Sequence, residues 1–267
     1  MKYMTFNSSC SYAGLANMLS KLGIDAEDRD IALEMGLPFF FTYEDGAFLA
    51  GPSLQKAQWF NLYLNPRGFE LIEDFIPQTE ISDYLRSANT AMLGIHIKNA
   101  GKHAVVFTGM KSGSFCFLNN KWAHDPSVES FTLSESALVE AVDDPCVVAT
   151  LRPIAPCIVS IKNLLEASCS TLEQYNLELH RVCDKIRPIG ELRSLLNPLF
   201  RALLLDGITM LALLGEDQFV ADLTTVQTAL LSALRSDSSQ LRLADYLDMD
   251  IIDASIHRYQ SIIQSQL

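Results

Sequence analysis

Apolar positions recur along this chain with two periods, and the change between them divides it. Over the first 150 or so residues helical and alternating patterns take turns, whereas beyond residue 160 the spacing is almost wholly helical. Tyr12, Leu15, Ala16, Leu19 and Leu22 fall on one helical face and Gly23 ends the pattern, which predicts a first helix starting at or near Cys10. A short second helix is predicted over 25–35, stopped by Gly36. The aromatic run Leu37-Pro38-Phe39-Phe40-Phe41-Thr42-Tyr43 then reads as extended, with a turn at Glu44-Asp45-Gly46. Residues 53–64 read as a helix capped by Ser53, 69–74 as a strand and 80–87 as a capped helix. Three strands follow closely, 91–97, 103–110 and 114–118, with turns at Asn99-Ala100-Gly101 and Lys111-Ser112-Gly113; this is the pattern of an antiparallel meander. A helix over 132–142 and a β-branched strand over 146–151 complete this half, and Pro153 and Pro156 bracket a linker.

Helical patterns then cover 160–186, 189–214, 216–235 and 239–265, separated by Pro188, Gly215 and Ser236-Asp237-Ser238-Ser239. Four helices of this length predict a bundle with Leu192, Leu195, Leu196, Leu199 and Leu203 in its core. The expected fold is therefore α+β with an antiparallel sheet over 1–153, followed by a helical bundle over 157–267.

Composition narrows the function classes. With 267 residues, 49% hydrophobic and 19% charged, the chain can bury a large core. A net charge of -12, shared by both halves and without a dense Lys/Arg cluster, argues against a nucleic-acid partner or an anionic membrane surface. Nothing in Met1-Lys2-Tyr3-Met4-Thr5 resembles the apolar part of a secretory signal, so a cytoplasmic location is expected. The most apolar stretch, 199–214, is interrupted by Arg201 and Asp206 and reads as a buried helix, not a membrane span.

Six cysteines, at 10, 116, 146, 157, 169 and 183, form no C-x-x-C pair and no zinc-like alternation with histidine. Free thiols in a reducing compartment are expected, and four of the last five lie in apolar surroundings where cysteine acts as a small hydrophobe. Cys10 differs by position. In Phe6-Asn7-Ser8-Ser9-Cys10-Ser11-Tyr12 it stands at a helix N-terminus, where unpaired amides and the helix dipole favour a thiolate. The same polar run suits an ordinary N-cap, so a nucleophile here needs a partner histidine.

Five histidines are available. His96 lies mid-strand, His124 in a loop, and His180 and His257 on bundle helices. His103 opens the strand His103-Ala104-Val105-Val106-Phe107-Thr108-Gly109, and the turn at Lys111-Ser112-Gly113 returns the chain through Phe115-Cys116-Phe117-Leu118. Hairpin geometry then sets Asn119 beside His103, able to accept from one ring nitrogen while the other faces Cys10. No glycine-rich phosphate loop follows a strand. Glu166, Glu173, Glu178, His180, Asp253 and His257 lack the Glu-x-x-His spacing of a dimetal bundle, so no metal or cofactor is expected.

Cysteine at a helix start, the His103 strand and the polar residue ending the next strand together resemble the papain-like cysteine fold. More closely, residues 10–25, Met35-Gly36-Leu37-Pro38-Phe39-Phe40-Phe41-Thr42-Tyr43 and residues 103–119 are similar to the N-terminal domain of the butirosin biosynthesis protein H family. Bacteriocin leader-processing peptidases share the layout. The first resemblance implies an acyl group carried as a thioester on Cys10 and passed to an amine; the second implies that the same thioester goes to water. Two positions depart from the peptidase pattern. Where those enzymes usually carry a glutamine six residues before the nucleophile, this chain has Met4, so the Cys10 backbone amide with Asn7 or a neighbouring serine such as Ser9 is expected to donate to the oxyanion. Where they often carry an aspartate, this chain has Asn119 or Asn120, with Asp125 in reserve. Papain-type enzymes use Asn in this role.

Read together, these features make Cys10 the nucleophile, His103 the base and Asn119 the residue that orients it. The chemistry is acyl transfer to a small amine or hydrolysis of an amide or thioester, with a small-molecule or carrier-protein-bound acyl substrate in the biosynthesis of a small molecule. An inactive papain-like binding or scaffold protein is the alternative. The bundle is read as one wall of the acyl or acceptor pocket, or as the support of a homodimer.

Overall fold

A computed structural model describes residues 1–6, 10–97 and 101–267. The chain forms two compact units, one built from Met1–Met35 and Gln55–Val159, the other from Gly36–Leu54 and Ser160–Leu267. Residues 36–54 thus belong with the C-terminal helices, which corrects the expectation of one continuous domain over 1–153.

The first unit contains α1 (Cys10–Lys21), α2 (Asp28–Glu34), α3 (Ala57–Leu64), β1 (Phe69–Ile76), α4 (Ile81–Ser87), β2 (Ala91–Ile97), β3 (Gly101–Lys111), β4 (Ser114–Asn119), β5 (Ser130–Leu133), α5 (Glu135–Ala141) and β6 (Cys146–Pro153). Its strands form one six-stranded sheet in the order β1-β6-β2-β3-β4-β5, with every pairing antiparallel. One face buries Leu93, Ile95, Val105, Phe107, Phe117 and Val148 beneath Ile81 and Leu85 of α4 and Leu138 of α5. Met92, which alternates to the other face, meets α1 at Gly14. Ser11 through Leu19 are all buried, so α1 is a core helix, and its apolar stripe is wider than a surface helix needs.

Two predicted elements change here. The helix expected over 132–142 shrinks to α5, because Ser134 caps it by accepting from Ala137 N at 3.3 Å. The residues before the cap become β5, which pairs with β4 and stacks Phe131 on Phe117 with ring centres 5.5 Å apart. Ser53 does not cap α3, which begins four residues later; its hydroxyl donates to Asp206 Oδ2 at 2.5 Å within the second unit.

In the second unit, Phe41–Glu44 pairs with Ala47–Ala50 through a turn at Asp45 and Gly46, both with positive φ. Phe41 and Phe48 each lie 5.1 Å from Tyr175 in the helix Lys162–Cys183. Phe41 N donates to Ser168 Oγ at 3.1 Å, and Tyr259 Oη donates to Pro38 O at 2.8 Å. These contacts across more than a hundred residues place the hairpin in this unit.

The other long helices are Asp217–Leu234 and Met249–Gln264. The single helix expected over 189–214 is broken into Ile189–Ser194, two π-helical stretches, Leu196–Phe200 and Ala202–Gly207, and Ile208–Leu213. Pro198 lies in the first stretch and has no N–H for the ordinary ladder. The expected helix over 239–265 also loses its first residues, as Gln240–Arg242 pairs with Ile186–Pro188. Asp248 caps what remains by accepting from Ile251 N at 3.1 Å. Of the leucine stripe, Leu192, Leu199 and Leu203 are fully buried, while Leu195 and Leu196 are half-buried. Among the described residues, no helix is long and apolar enough to cross a membrane.

Candidate active site

Cys10 is the first residue of α1 and is half-buried. What sets its distance from the sheet is a pair of buried amides. Asn17 of α1 donates from Nδ2 to Asn120 Oδ1 at 3.1 Å, and Asn120 Nδ2 donates to Ala104 O in β3 at 3.0 Å. Gly14 lies one turn before Asn17 because nothing larger fits: a Cβ there would fall 2.4 Å from Met92 Sδ and 2.7 Å from Asn120 Nδ2. Asn120 is fully buried, so its side chain ties the helix to the strand and does not serve as an oxyanion donor.

His103 sits in β3 opposite Ile95. The β3–β4 hairpin turns at Ser112 and Gly113, both with positive φ as a two-residue turn requires. Its register runs Lys111 to Ser114, Met110 to Phe115 and Gly109 to Cys116, then shifts, so that Phe107 faces Phe117 and Val105 faces Asn119. Thr108 is the extra residue, and Gly109, at φ 127, permits the bulge. Without it Asn119 would face Val106 and its side chain would lie on the wrong side of the sheet. The bulge moves Asn119 onto His103's face, opposite Val105 and so two residues along β3 from His103.

Asn119 is buried and its orientation is fixed. Nδ2 donates to Val128 O at 2.9 Å and Ser127 Oγ at 3.2 Å, which turns Oδ1 toward the role of acceptor. Burial pushes the His103 pKa down, but hydrogen bonding and charge from Cys10, the Asn119 side chain and the Asn120 backbone outweigh it, and the net shift is upward. Nε2 of His103 is buried with no hydrogen-bond partner among the described residues.

Cys10 mirrors this. Burial alone would raise the thiol, but a hydrogen bond with His103, the backbone of Ala104 and Ser11, and the charge of the ring bring it below its ordinary value. The opposite happens elsewhere: burial pushes Cys146 up to about 11 and Cys183 up to about 12. The structure therefore gathers Cys10, His103 and Asn119 at one place.

The remaining candidates divide. Asn7 and Ser9 lie outside the described residues. Met4 makes a parallel bridge with Trp122, its N–H donating to Lys121 O at 2.9 Å, and a thioether has no donor for an oxyanion. Asp125 holds its own turn by accepting from Ser127 N at 2.7 Å. His96 pairs with Asp143, His180 with Asp253. Among the described residues no group of three metal-ligating side chains converges.

A cavity of about 340 Å³ opens at Cys10, lined also by Ser11, Gln55, Glu73, Met92 and Lys102. A second, of about 580 Å³ and largely apolar, is lined by His103, Asn119, Trp122, Phe131 and Leu133 with others. Sequence reasoning missed Gln55 and Glu73. Neither carries a local signal, since each reaches the cavity only through the packing of α3 and β1 beside α1.

No protein-family model and no curated protein matches the chain. Among solved structures it is similar to the peptidase domain of Streptococcus ComA, a bifunctional ABC transporter of a quorum sensing pathway, at 13% identity and a TM-score of 0.40, over 57% of this chain and 96% of that one. A double glycine motif protease from an AMS/PCAT transporter, solved with its leader peptide, is similar at 11% identity and 0.39, over 57% and 89%. A periplasmic domain of the EpsAB fusion protein of the Vibrio vulnificus type II secretion system is similar at 11% and 0.30, over 54% and 47%. Likenesses this loose assign neither family nor activity.

Proposed function

We propose that this chain is a papain-like cysteine enzyme that forms an acyl-thioester on Cys10 and passes the acyl group to a small amine or to water. The observation that carries the reading is geometric: Cys10 opens α1 and meets His103, and the bulge in β3 puts Asn119 on the face of His103; in keeping with this the thiol is drawn down and the imidazole up, while buried thiols elsewhere are pushed the opposite way.

Cys10 Sγ adds to a carbonyl carbon, and the C=O pair moves onto oxygen. His103 gives its proton to the leaving group as the tetrahedral intermediate collapses to the thioester. An incoming amine or water then loses a proton to His103 as it attacks the same carbon, and the thiolate leaves. Asn119 holds the ring through both steps. Transfer to an amine follows from the resemblance to the butirosin biosynthesis protein H family, with a small-molecule or carrier-bound acyl donor; hydrolysis follows from the leader-processing peptidases. Met4 favours a second reading, an inactive scaffold of the same fold, because it removes a side-chain donor.

Iodoacetamide at mildly acidic pH separates them. Selective alkylation of Cys10 is expected, and it should slow in His103→Ala, since losing the ring's hydrogen bond and charge returns the thiol toward its ordinary range and leaves less thiolate. Labelling of Cys10 no faster than that of Cys157, which is exposed, would favour the scaffold.

A further inference from the structure

Cys10 and His103 each line a cavity of their own, and the two cavities differ in chemistry. The one at Cys10 is polar: Ser11 Oγ donates to Gln55 Oε1 at 3.2 Å, and Glu73 and Lys102 join them in its wall. The one at His103, about 580 Å³, is walled by Ile95, Trp122, Phe131 and Leu133. That is room for a small molecule with an apolar body.

One lysine is set into this apolar wall. Lys121 is only 7% exposed, yet among the described residues no carboxylate forms an ion pair with it. Its Nζ donates to Asp125 O at 2.6 Å and to Ser127 O at 2.8 Å, both backbone carbonyls of cavity-lining residues. The Asp125 carboxylate feels the charge of Lys121 but accepts from Ser127 N instead. A buried lysine is ordinarily paired with an acid. An ammonium has three N–H groups, and these two carbonyls account for two. An unpaired cation in an apolar cavity is a receptor for an anion, since the pair offsets what burial costs each charge.

Chemistry fixes which reactant belongs beside it. The acyl remainder stays on Cys10 Sγ, whereas the incoming amine gives its proton to His103 and must stand at that ring. We propose that the acceptor amine is an apolar amino acid, with its carboxylate on Lys121 and its side chain against Trp122, Phe131 and Leu133. The proposal rests on the thioester reading of Cys10 and names the acceptor. In the transfer step the free amine nitrogen bonds to the thioester carbon, its proton passes to His103, and the C–S bond pair returns to sulfur. An N-acyl amino acid and the thiolate result.

The test uses the full chain, acetylated on Cys10 by p-nitrophenyl acetate with release of p-nitrophenolate. L-Phenylalanine, L-phenylalaninamide and glycine are offered as acceptors, and each N-acetyl product is quantified by mass spectrometry. Each rate is divided by that of the same amine with a free acetyl thioester, which removes differences in intrinsic reactivity. Phenylalanine is expected to exceed phenylalaninamide, which lacks the carboxylate, and glycine, which lacks the apolar body, by about tenfold or more. Lys121→Met should cut the preference for acid over amide by about tenfold or more, the worth of one hydrogen bond to a charged group. Lys121→Gln keeps a donor for the two carbonyls and should do the same where Lys121→Met folds poorly. Wild type using phenylalanine no better than phenylalaninamide or glycine overturns the proposal, as does an unchanged preference in a folded variant. An equal fall for acid and amide also overturns it, since Lys121 then only holds its loop. Acetyl passing to water alone, whichever amine is present, overturns the acceptor and keeps the thioester. Wild-type Cys10 acetylated no faster than Cys157 defeats the thioester reading itself.

Discussion

Replacing Gly14 with alanine tests whether the fit between α1 and the sheet is as close as the geometry requires. A Cβ at this position comes within 2.4 Å of Met92 Sδ and 2.7 Å of Asn120 Nδ2, against about 3.5–4.0 Å for an ordinary contact. Met92 is flexible and can swing aside. Asn120 cannot move without loosening its bonds to Ala104 O and Asn17, and it is fully buried. Overpacking costs about 1–3 kcal/mol, and a buried hydrogen bond lost without replacement costs about 1–3 kcal/mol. Alanine in a helix interior returns about 1 kcal/mol over glycine. With Met92 yielding and Asn120 not, the net loss is expected near 2–3 kcal/mol. Urea unfolding followed by tryptophan fluorescence measures it in the right place, because Trp59 and Trp122 both belong to the first unit. The penalty should shrink when Asn120→Ala is added, since the second atom in the way has gone. Gly14→Ala as stable as wild type, or more stable, would refute the reasoning and show that helix propensity decides at this position.

Four other outcomes are expected. Against the opposing effect of burial, the Cys10 thiol is drawn below its ordinary range and the His103 ring above its own, mainly by their mutual hydrogen bond and charge; ultraviolet thiolate absorbance, as the difference from Cys10→Ser, should titrate below the ordinary thiol range. Asn119→Ala removes one of the groups that raise the His103 pKa, so the ring should titrate at lower pH, as read by NMR of the imidazole protons, and an unmoved titration would count against the orienting role. In the second unit, Ser53→Ala deprives the buried Asp206 of one donor and should cost about 1–3 kcal/mol in helical unfolding by circular dichroism. Burial holds the Asp206 carboxyl above its ordinary range despite Arg201 and Ser53, so the native state binds this proton before the unfolded chain does and stability falls as pH rises through that interval; Asp206→Asn should flatten that slope.

How far the chain could be read depended on the range of the contact. Cys10 at a helix start and His103 in a strand are local facts, carried by apolar spacing, a stopping glycine and β-branched neighbours, and both were legible. Asn119 was legible as a hairpin partner, but its face was not: that depends on a bulge at Thr108, which only the strand pairing reveals. The strand over 130–133 was missed, its end overlapping a helical pattern from 132, because its evidence is a partner strand, with Phe117 fourteen residues before Phe131. Pro198 inside a run of leucines signalled a break that periodicity overrode. Gln55 and the Asn17–Asn120 clasp were invisible, since 44 and 103 residues separate the atoms that meet.

The hairpin over 36–54 has a practical consequence for taking this protein apart. No single cut separates the units, because the chain leaves the first after Met35 and re-enters at Gln55. A fragment ending at Val159 would carry Phe41 and Phe48 without Tyr175 and Tyr259, exposing aromatic strand edges prone to pair with other copies. To express the cysteine-bearing unit alone, the hairpin must be excised and Met35 linked to Gln55 by a designed connection. A fragment of the C-terminal helices must carry the hairpin with it, as a second segment or by circular permutation.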